Sequence, residues 1–339
     1  MKQKHFARKL VAVTGAFALG LGISAAALAQ QFTMKLSSPT ANDLQIEWMN
    51  TFKKGVEARS GGKIKVEIYP ANQLGQIPRT VEGVAMGTIE VTMVATGFLV
   101  GLEPRYAVFD AVGLFDDMAH GSRVFGDPEI QKRLATYGST KGVEPLTTFV
   151  HSPNGLLTRK GVRTLADIKG LKIRTTGTPM QAEPLKRLGA SPIPMPLGEV
   201  MPALQNGTID GFLAGTTIFT AFKFFDVAKT MTQLPQSWIV GGAIVNKAWM
   251  AALPADLRAI VHDESRKADS VPPTWGVDDI ERARKTWEQN GGQYVALPAA
   301  EQKRFVDEFT AATMPLLGAN AQVKADYEAF VAAARKHRK

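Results

Sequence analysis

The segment GLKIRTTG at residues 170–177 predicts a short strand that ends in an arginine and runs into a Gly/Thr loop. A helical segment and the sequence GTIDGFLAGTTIF at residues 207–219 follow it. The same order occurs earlier, where KIKVEIYP at residues 63–70 leads through a helical segment to GTIEVTMVATGF at residues 87–98. This repeat predicts two similar α/β domains. The alternative is that corners between helices and strands often resemble one another without any such relation.

The N-terminal part of the chain predicts a strand, a helix and a second strand. The sequence FTMKLSSP at residues 32–39 alternates apolar and polar side chains, as a half-buried strand does. Apolar residues then recur every four positions between residues 44 and 56, which predicts an amphipathic helix capped by Asn42 or Asp43. Strand, helix and strand joined by short connections are typical of the βαβ unit of a parallel sheet.

Small and aromatic residues follow the last strand of each repeat. Thr96 and Phe98 come after the first of these strands, and Thr216 and Phe219 come after the second. Open parallel sheets bind ligands at the edge formed by the carboxyl ends of their strands. Small residues leave backbone N–H groups accessible there, and an aromatic ring provides an apolar wall. Each residue alone is explained by loop packing, but together they favour a cleft between two facing domains.

The length and composition are those of a soluble two-domain protein. A chain of 339 residues with 45% hydrophobic and 21% charged residues is too long for one ordinary domain. Residues 1–29 have a basic start and an apolar run ending in Ala27-Leu28-Ala29, which predicts a secretory signal peptide. A membrane anchor is the alternative. Removal of this segment takes away four basic residues and lowers the formal charge from +9 to +5.

The mature chain is therefore expected to be exported, and the modest charge predicts no nucleic-acid partner. The sequence has no cysteine, which excludes disulfides and thiolate metal sites. It also has no G-x-S-x-G, H-E-x-x-H or Walker A pattern. His120, His151 and His262 lack the spacing of metal ligands. We expect no catalytic residue, no metal and no cofactor; an exported hydrolase is a less favoured alternative.

Two arginines occupy positions that require an anionic partner. Arg174 ends the strand LKIR, and Arg79 lies at the front of a helix, three residues after Gln76. The dipole of a helix disfavours positive charge in its first turn. An anion held between Arg79, the N-terminal amides of that helix and Arg174 would explain both positions. The alternatives are that each arginine pairs with a protein carboxylate or lies in water.

An ordered series of motifs resembles a known family. The motifs are NQLG at 72–75, GTIEVT at 87–92, TLADIKGLKIR at 164–174, LGASPIPMP at 188–196, EVMPALQNGTIDG at 199–211 and IVNKAWMAALP at 244–254. They resemble the substrate-binding protein (DctP type) of a tripartite ATP-independent periplasmic (TRAP) transporter. The resemblance covers roughly residues 32–260 and is most specific between residues 167 and 211.

The resemblance implies a fold and a division of the chain. The fold class is α/β: a two-domain periplasmic binding protein (type II-like), in which each domain is a mostly parallel sheet flanked by helices and a cleft lies between the domains. Domain I is expected to comprise residues 30–151 and 241–272. Domain II is expected to comprise residues 152–240 and 273–337. Pro272-Pro273 interrupts a stretch that is often a long helix in the family.

The resemblance also implies which residues contact the ligand. Arg174 corresponds to the arginine that binds the ligand carboxylate, and Arg79 with Gln76 provides a second polar contact. The other expected contacts are Thr96, Phe98, Asn154, Leu197, Thr216, Phe219 and Trp238. Among these, Phe98, Phe219 and Trp238 are expected to form apolar walls.

The sequence departs from the family at two places in this site. Many members have a further arginine near the position of Asn154, and many have Asn or Gln after the Asp-Gly of residues 210–211. These departures weaken a dicarboxylate or sialic acid assignment and leave room for a monocarboxylate with an apolar body. The expected function is a periplasmic receptor that delivers an organic acid anion to the membrane subunits of a TRAP permease. An ABC-type solute-binding protein is the main alternative.

Overall fold

The structure, a computed structural model, describes residues 32–339. The predicted signal peptide at residues 1–29 lies outside the described residues. The strands are β1 Phe32–Ser37, β2 Ile64–Tyr69, β3 Val91–Ala95, β4 Val143–Thr158, β5 Lys172–Thr175, β6 Ser191–Pro194, β7 Gly211–Gly215, β8 Thr230–Asn246 and β9 Gln293–Ala296. The helices are α1 Leu44–Arg59, α2 Ile77–Met86, α3 Met118–Phe125, α4 Pro128–Leu134, α5 Pro179–Arg187, α6 Val200–Gln205, α7 Thr216–Ala221, α8 Lys247–Ala252, α9 Ala255–Ala268, α10 Val277–Gln289, α11 Ala299–Gly318 and α12 Ala321–His337.

Two long strands organise the sheet. Its strand order is β2-β1-β3-β8-β4-β7-β5-β6, and β9 also pairs with β8. Strands β4 and β8 pair antiparallel over almost their whole length. One end of β8 pairs with β3 and its other end pairs with β9, while β4 pairs with β7. We call the part that contains β1, β2 and β3 the first half, and the part that contains β5, β6, β7 and β9 the second half. This arrangement confirms the predicted α/β fold class.

The predicted βαβ unit at the N-terminus is confirmed. Strands β1 and β2 pair in parallel, from Phe32 opposite Ile64 to Ser37 opposite Tyr69. Helix α1 connects them, and Asp43 caps it by accepting hydrogen bonds from the backbone N–H groups of residues 45 and 46. The apolar stripe of α1 is buried, with the ring of Trp48 stacked on Phe52. Burial of this stripe explains why a helix forms here.

The two Gly-Thr-Ile segments of the repeat also stand at matching places. Gly87 ends α2 with a φ of 79°, and Gly207 follows α6 with a φ of 78°. Residues other than glycine rarely adopt this left-handed conformation. Strands β3 and β7 begin soon after the two glycines, so the sequence repeat corresponds to a structural one.

The segment around Pro272-Pro273 separates α9 from α10 without a long loop. Residues Pro272–Gly276 form a π-helical turn that continues into α10, and residues 269–271 separate this turn from the end of α9. Helix α9 packs on α1 of the first half, and α10 packs on α7 of the second half. The π-turn is therefore a third connection between the halves, beside β4 and β8, and such turns are frequent at functional positions.

The C-terminal helices differ from the predicted domain division. Helix α11 packs on α5 of the second half, as expected for domain II. Helix α12, which that division also places in domain II, packs on α3 and α4 of the first half. Its last residues form ion pairs there, with Lys336 Nζ 2.7 Å from Asp127 Oδ2 and Arg338 Nε 3.0 Å from Asp116 Oδ2. The remaining domain boundaries stay a prediction.

Within residues 32–339, no helix combines the length and the apolarity that crossing a bilayer requires.

A mostly buried carboxylate at the end of α9 gives a prediction about stability. Asp269 Oδ1 accepts hydrogen bonds from Trp48 Nε1 at 2.9 Å and Thr147 Oγ1 at 2.5 Å. Burial raises the pKa of Asp269 to about 6. Because the folded pKa exceeds the unfolded one, the folded state binds the proton more tightly, and the ionised carboxylate lowers stability above pH 6. The position of Asp269 at the C-terminus of α9 also destabilises its ionised form, because the helix dipole disfavours negative charge there.

We expect Asp269→Asn to raise the free energy of unfolding at pH 7.5 by on the order of 1 to 3 kcal/mol. The amide oxygen can accept the same two hydrogen bonds without carrying charge. The difference should disappear as the pH falls from 6 towards 4, which urea unfolding at several pH values measures. Asp256→Asn is the matched control, because Asp256 is an exposed carboxylate in the first turn of the same helix. An Asp269→Asn variant less stable than the parent at pH 7.5 would contradict this reasoning.

Candidate functional site

Arg174 is a buried cation that has no acidic partner in the part of the chain that the structure describes. It lies on β5 and is 2% exposed. Its Nε donates to the backbone oxygen of Met195 at 2.8 Å, and its Nη1 donates to that of Leu213 at 3.1 Å. Its Nη2 is buried without a hydrogen-bond partner, and no carboxylate among residues 32–339 forms an ion pair with it. Burial lowers the pKa of Arg174 to about 9. The two backbone oxygens fix the guanidinium and leave one nitrogen to bind something else.

The first half contributes an aromatic ring to the same place. The guanidinium carbon of Arg174 lies 5.5 Å from the centre of the Phe98 ring, a distance at which a cation and a ring attract each other. Phe98 stands in the 3₁₀ helix Thr96–Leu99 that follows β3. Two of the predicted ligand contacts, Arg174 and Phe98, are therefore neighbours, and their contact with a ligand stays a prediction. Thr96 at the start of this turn donates to the backbone oxygen of Val240 at 3.2 Å, so its hydroxyl hydrogen is already used.

Asn154 lies where β4 passes between the halves. Register shifts between Val150 and Ser152 and between Pro153 and Gly155 mark bulges on both sides of this crossing, and bulges redirect side chains. Asn154 is buried, and its Nδ2 donates to Ser237 Oγ at 3.2 Å. Its Oδ1 is buried without a partner. Asn154 thus presents a free acceptor beside the crossing strands, where Trp238 stands opposite Pro153.

Arg79 and Gln76 lie on the surface of the first half at the start of α2. Arg79 is exposed, and its side chain makes no hydrogen bond or ion pair with the other described residues. Gln76 is also exposed, but its amide reaches Gly198 of the second half: a Cβ added at Gly198 would lie 2.6 Å from Gln76 Nε2. The binding of one anion by both Arg79 and Arg174 thus stays a prediction. Gln76 does contact the opposite half.

The remaining predicted contacts lie deeper in the second half. Phe219 has no exposed surface and packs edge-on against Phe212, with the ring centres 5.0 Å apart. Leu197 is also buried, at the start of a short 3₁₀ helix. Thr216 is buried at the first position of α7. Core packing accounts for Phe219 and Leu197 in this conformation, so their contact with a ligand stays a prediction.

Sequence reasoning missed an aspartate between the halves. Asp110 ends the 3₁₀ helix Pro104–Asp110 of the first half. Its carboxylate accepts hydrogen bonds from Thr178 Oγ1 at 2.9 Å and from Gln181 Nε2 at 3.3 Å. Both partners belong to the N-terminus of α5 in the second half. A lone acidic residue between apolar neighbours, as in AVFDAV at residues 107–112, was the available signal.

Buried hydrogen bonds also link three side chains that resemble a hydrolase triad. Asp43 Oδ2 lies 3.1 Å from His151 Nε2, and His151 Nδ1 lies 3.2 Å from Ser152 Oγ. Ser152 has no exposed surface, and the Asp43 carboxylate also caps α1. This chain therefore anchors α1 to β4 and leaves no path for a substrate to reach the serine. No group of acidic or histidine side chains suited to a metal occurs among residues 32–339.

The two halves of the sheet are joined by crossing strands, and Arg174 is buried where their loops meet with no acidic partner among residues 32–339, an arrangement expected of a solute-binding protein. The family described as bacterial extracellular solute-binding protein, family 7 (DctP), matches residues 37–315. The chain belongs to this family, which confirms the resemblance found in its motifs.

Two relatives are similar in sequence to most of this chain. A solute-binding protein of Verminephrobacter eiseniae is 34% identical over 247 residues, which cover 71% of this chain and 72% of that protein. The 2,3-diketo-L-gulonate-binding periplasmic protein YiaO of Escherichia coli is 30% identical over 263 residues, which cover 77% of this chain and 80% of that protein.

A solved structure shows the same fold. The TRAP periplasmic solute-binding protein from Desulfovibrio salexigens with bound orotic acid is similar with a TM-score of 0.86 at 23% identity. The similarity covers 91% of this chain and 100% of that one.

Proposed function

We propose that this protein is a periplasmic receptor that binds an organic acid anion and delivers it to a TRAP-type membrane permease. The observation that carries the proposal is the buried guanidinium of Arg174, which has a free Nη2 and no acidic partner among the described residues. A carboxylate matches the parallel N–H groups of a guanidinium. The name of YiaO and the orotic acid bound to the Desulfovibrio protein support an acidic ligand, since both compounds are carboxylic acids.

Arg174 is the carboxylate clamp in this proposal. A buried charge without a partner is costly, and an anion at Nη2 removes that cost. Water competes for the guanidinium while the halves are apart, and the attraction strengthens when closure removes the water. A hydrogen bond to a charged group contributes about 1.5–3 kcal/mol. Two such bonds and some apolar burial reach roughly micromolar affinity, about −8 kcal/mol, after the costs of association.

Other residues bind the rest of the ligand. Phe98 and Trp238 provide apolar walls, and Asn154 offers an acceptor through its Oδ1. Arg79 with Gln76 forms a polar contact at the edge of the cleft. Thr96, Leu197, Thr216 and Phe219 complete the surroundings. Because Asn154 is neutral where many members of the family have a further arginine, the site suits a monocarboxylate better than a dicarboxylate.

The protein reaches the periplasm through the signal peptide at residues 1–29, which is removed. Domain I comprises residues 30–151 and 241–272, and domain II comprises residues 152–240 together with the segment from residue 273 to the end of α11. The assignment to the TRAP class rests on the family and on the names of its relatives. The bound and closed form is the one that the membrane subunits receive, because closure changes the surface that both halves present together.

A panel of organic acids tests the proposal. The mature chain is screened by thermal shift against sugar acids, orotate, succinate and aliphatic or aromatic monocarboxylates, and isothermal titration follows each hit. A ligand that binds only the native protein raises its melting temperature. We expect a monocarboxylate to bind with roughly micromolar affinity and its uncharged amide to fail. If neutral sugars or amides bind as well as the acids do, the proposal is wrong.

A further inference from the structure

Besides the contact of Gln76 with Gly198, the two halves touch along a short line beside Arg174. We call this line the seam. Its residues are Gly97, Phe98 and Asp110 of the first half and Arg174, Thr176, Thr178 and Gln181 of the second half. All four residues of the second half come from β5, from the N-terminus of α5 or from the loop between them.

The approach is close at Gly97. A Cβ added to Gly97 would lie 2.6 Å from Thr176 Oγ1 and 3.3 Å from Thr176 Cβ. With threonine at position 176, a side chain at position 97 would crowd the hydroxyl of Thr176, and glycine allows the backbone of the first half to approach the loop after Arg174.

Asp110 provides the polar contact of the seam. Its two carboxylate oxygens accept one hydrogen bond each, from Thr178 Oγ1 and from Gln181 Nε2. Thr178 also caps α5 by accepting from the backbone N–H of Gln181. Negative charge at the N-terminus of a helix is stabilised by the helix dipole, and hydrogen bonds to a charged acceptor are the stronger kind.

The same network reaches the loop of the ligand site. Gln181 Oε1 accepts from the backbone N–H of Thr176 at 3.0 Å and from Thr176 Oγ1 at 3.1 Å. Thr176 follows Arg174 by two residues. Gln181 thus contacts Asp110 with one end of its amide and holds the loop after Arg174 with the other end.

We propose that Asp110 is a positioning residue that stabilises the closed form by holding the N-terminus of α5 against the first half. Its bonds with Thr178 and Gln181 form only when the halves meet, so they favour closure, and through Gln181 they order the loop that follows Arg174. Burial raises the pKa of Asp110 to about 6, so the carboxyl is mostly ionised at neutral pH and binds its partners as an anion.

The inference rests on the closure that the proposed function includes, but its test uses no ligand. The chain has no cysteine, so the double variant Gly97→Cys, Thr176→Cys carries only this thiol pair. The expected Cβ distance of 3.3 Å lies near the range of about 3.5–4.5 Å found in disulfides. Under a fixed excess of oxidant, the rate of disulfide formation measures how often the seam closes.

In the double-cysteine variant we expect Asp110→Ala to slow disulfide formation about tenfold. The reason is that the substitution removes two hydrogen bonds to the charged carboxylate, and these bonds exist only in the closed form. Gln181→Ala removes one of these bonds from the opposite half and should also slow the reaction. The combination of both substitutions should slow it by less than the product of the separate effects. Asp226→Ala is the matched control, since Asp226 is exposed and its side chain makes no bond with the other described residues.

Each outcome decides the inference. Slower cross-linking in both seam variants, with a non-additive combination and an unchanged control, supports it. An unchanged rate in Asp110→Ala overturns it, as does equal slowing in the Asp226 control. If Asp110→Ala fails to fold, Gln181→Ala alone decides in the same way. Failure of every organic acid in the ligand screen would overturn the proposed function and leave this result intact.

Discussion

Replacing Arg174 with alanine should weaken binding of the organic acid at least tenfold, because each hydrogen bond to a charged group contributes about 1.5–3 kcal/mol. Arg174→Lys should not restore the affinity. The arginine uses two nitrogens to hold backbone oxygens and keeps Nη2 for the ligand, whereas an ammonium is a compact donor that cannot keep this geometry. Isothermal titration of the parent and both variants measures the effect.

Replacing Arg174 should weaken ligand binding but should not lower the stability of the ligand-free protein. Arg174→Met retains much of the side-chain volume and removes a buried charge that no carboxylate among the described residues offsets. We expect the ligand-free variant to be at least as stable as the parent, because the relief of desolvation offsets the two lost hydrogen bonds. Urea unfolding without ligand measures this quantity.

The two measurements together separate a functional arginine from a structural one. A folded methionine variant with normal affinity would show that Arg174 does not hold the ligand. A marked loss of stability in the ligand-free methionine variant would show instead that the arginine holds the fold through residues 195 and 213. We expect neither result, since the free nitrogen has no role in the ligand-free protein.

Gly211→Ala should destabilise the protein by about 3 kcal/mol or more, as overpacking against a fixed backbone does. A Cβ at Gly211 would lie 2.3 Å from the backbone oxygen of Leu157 on the paired strand. Because the neighbour is backbone in the centre of the sheet, it cannot move aside without separating β4 from β7. The midpoint of urea unfolding measures the loss.

Gly101→Ala is the control for this substitution. A methyl group added at position 101 would stand in open space, and the backbone there is not left-handed, so alanine should leave stability unchanged or raise it slightly by restricting the unfolded chain. Equal stability of the parent and the Gly211 variant would mean that β4 and β7 can separate at little cost, and it would contradict this prediction.

Local patterns in the sequence predicted much of the fold. The alternation in β1, the four-residue spacing in α1 and the glycines at 87 and 207 are signals that neighbouring residues carry, and the structure contains each feature. The family motifs added the crossing arrangement of the two halves. The side to which α12 packs depends on ion pairs with residues about 200 positions away along the chain, and no local pattern reports such contacts.

The candidate site was predictable to a smaller extent. Arg174 and Phe98 end or follow strands, so their meeting followed from the strand order. The isolation of Arg174 from carboxylates, the free oxygen of Asn154 and the pairing of Asp110 across the seam depend on tertiary distances. Phe219 shows the limit of such reasoning: an aromatic residue after a strand suggested a ligand wall, while Phe212 packs against it in the core of this structure, so its contact with a ligand stays a prediction.

Strands β4 and β8 are not the only covalent connections between the halves among the described residues. The π-turn Pro272–Gly276 and the junction between α11 and α12 are two more. Several connections between the halves oppose sliding and leave rotation as the easier motion. A receptor built this way loses little translational or rotational entropy of its lobes when it engulfs a guest. Its selectivity can then depend on the chemistry inside the cleft, because the pathway of engulfment is the same for every guest.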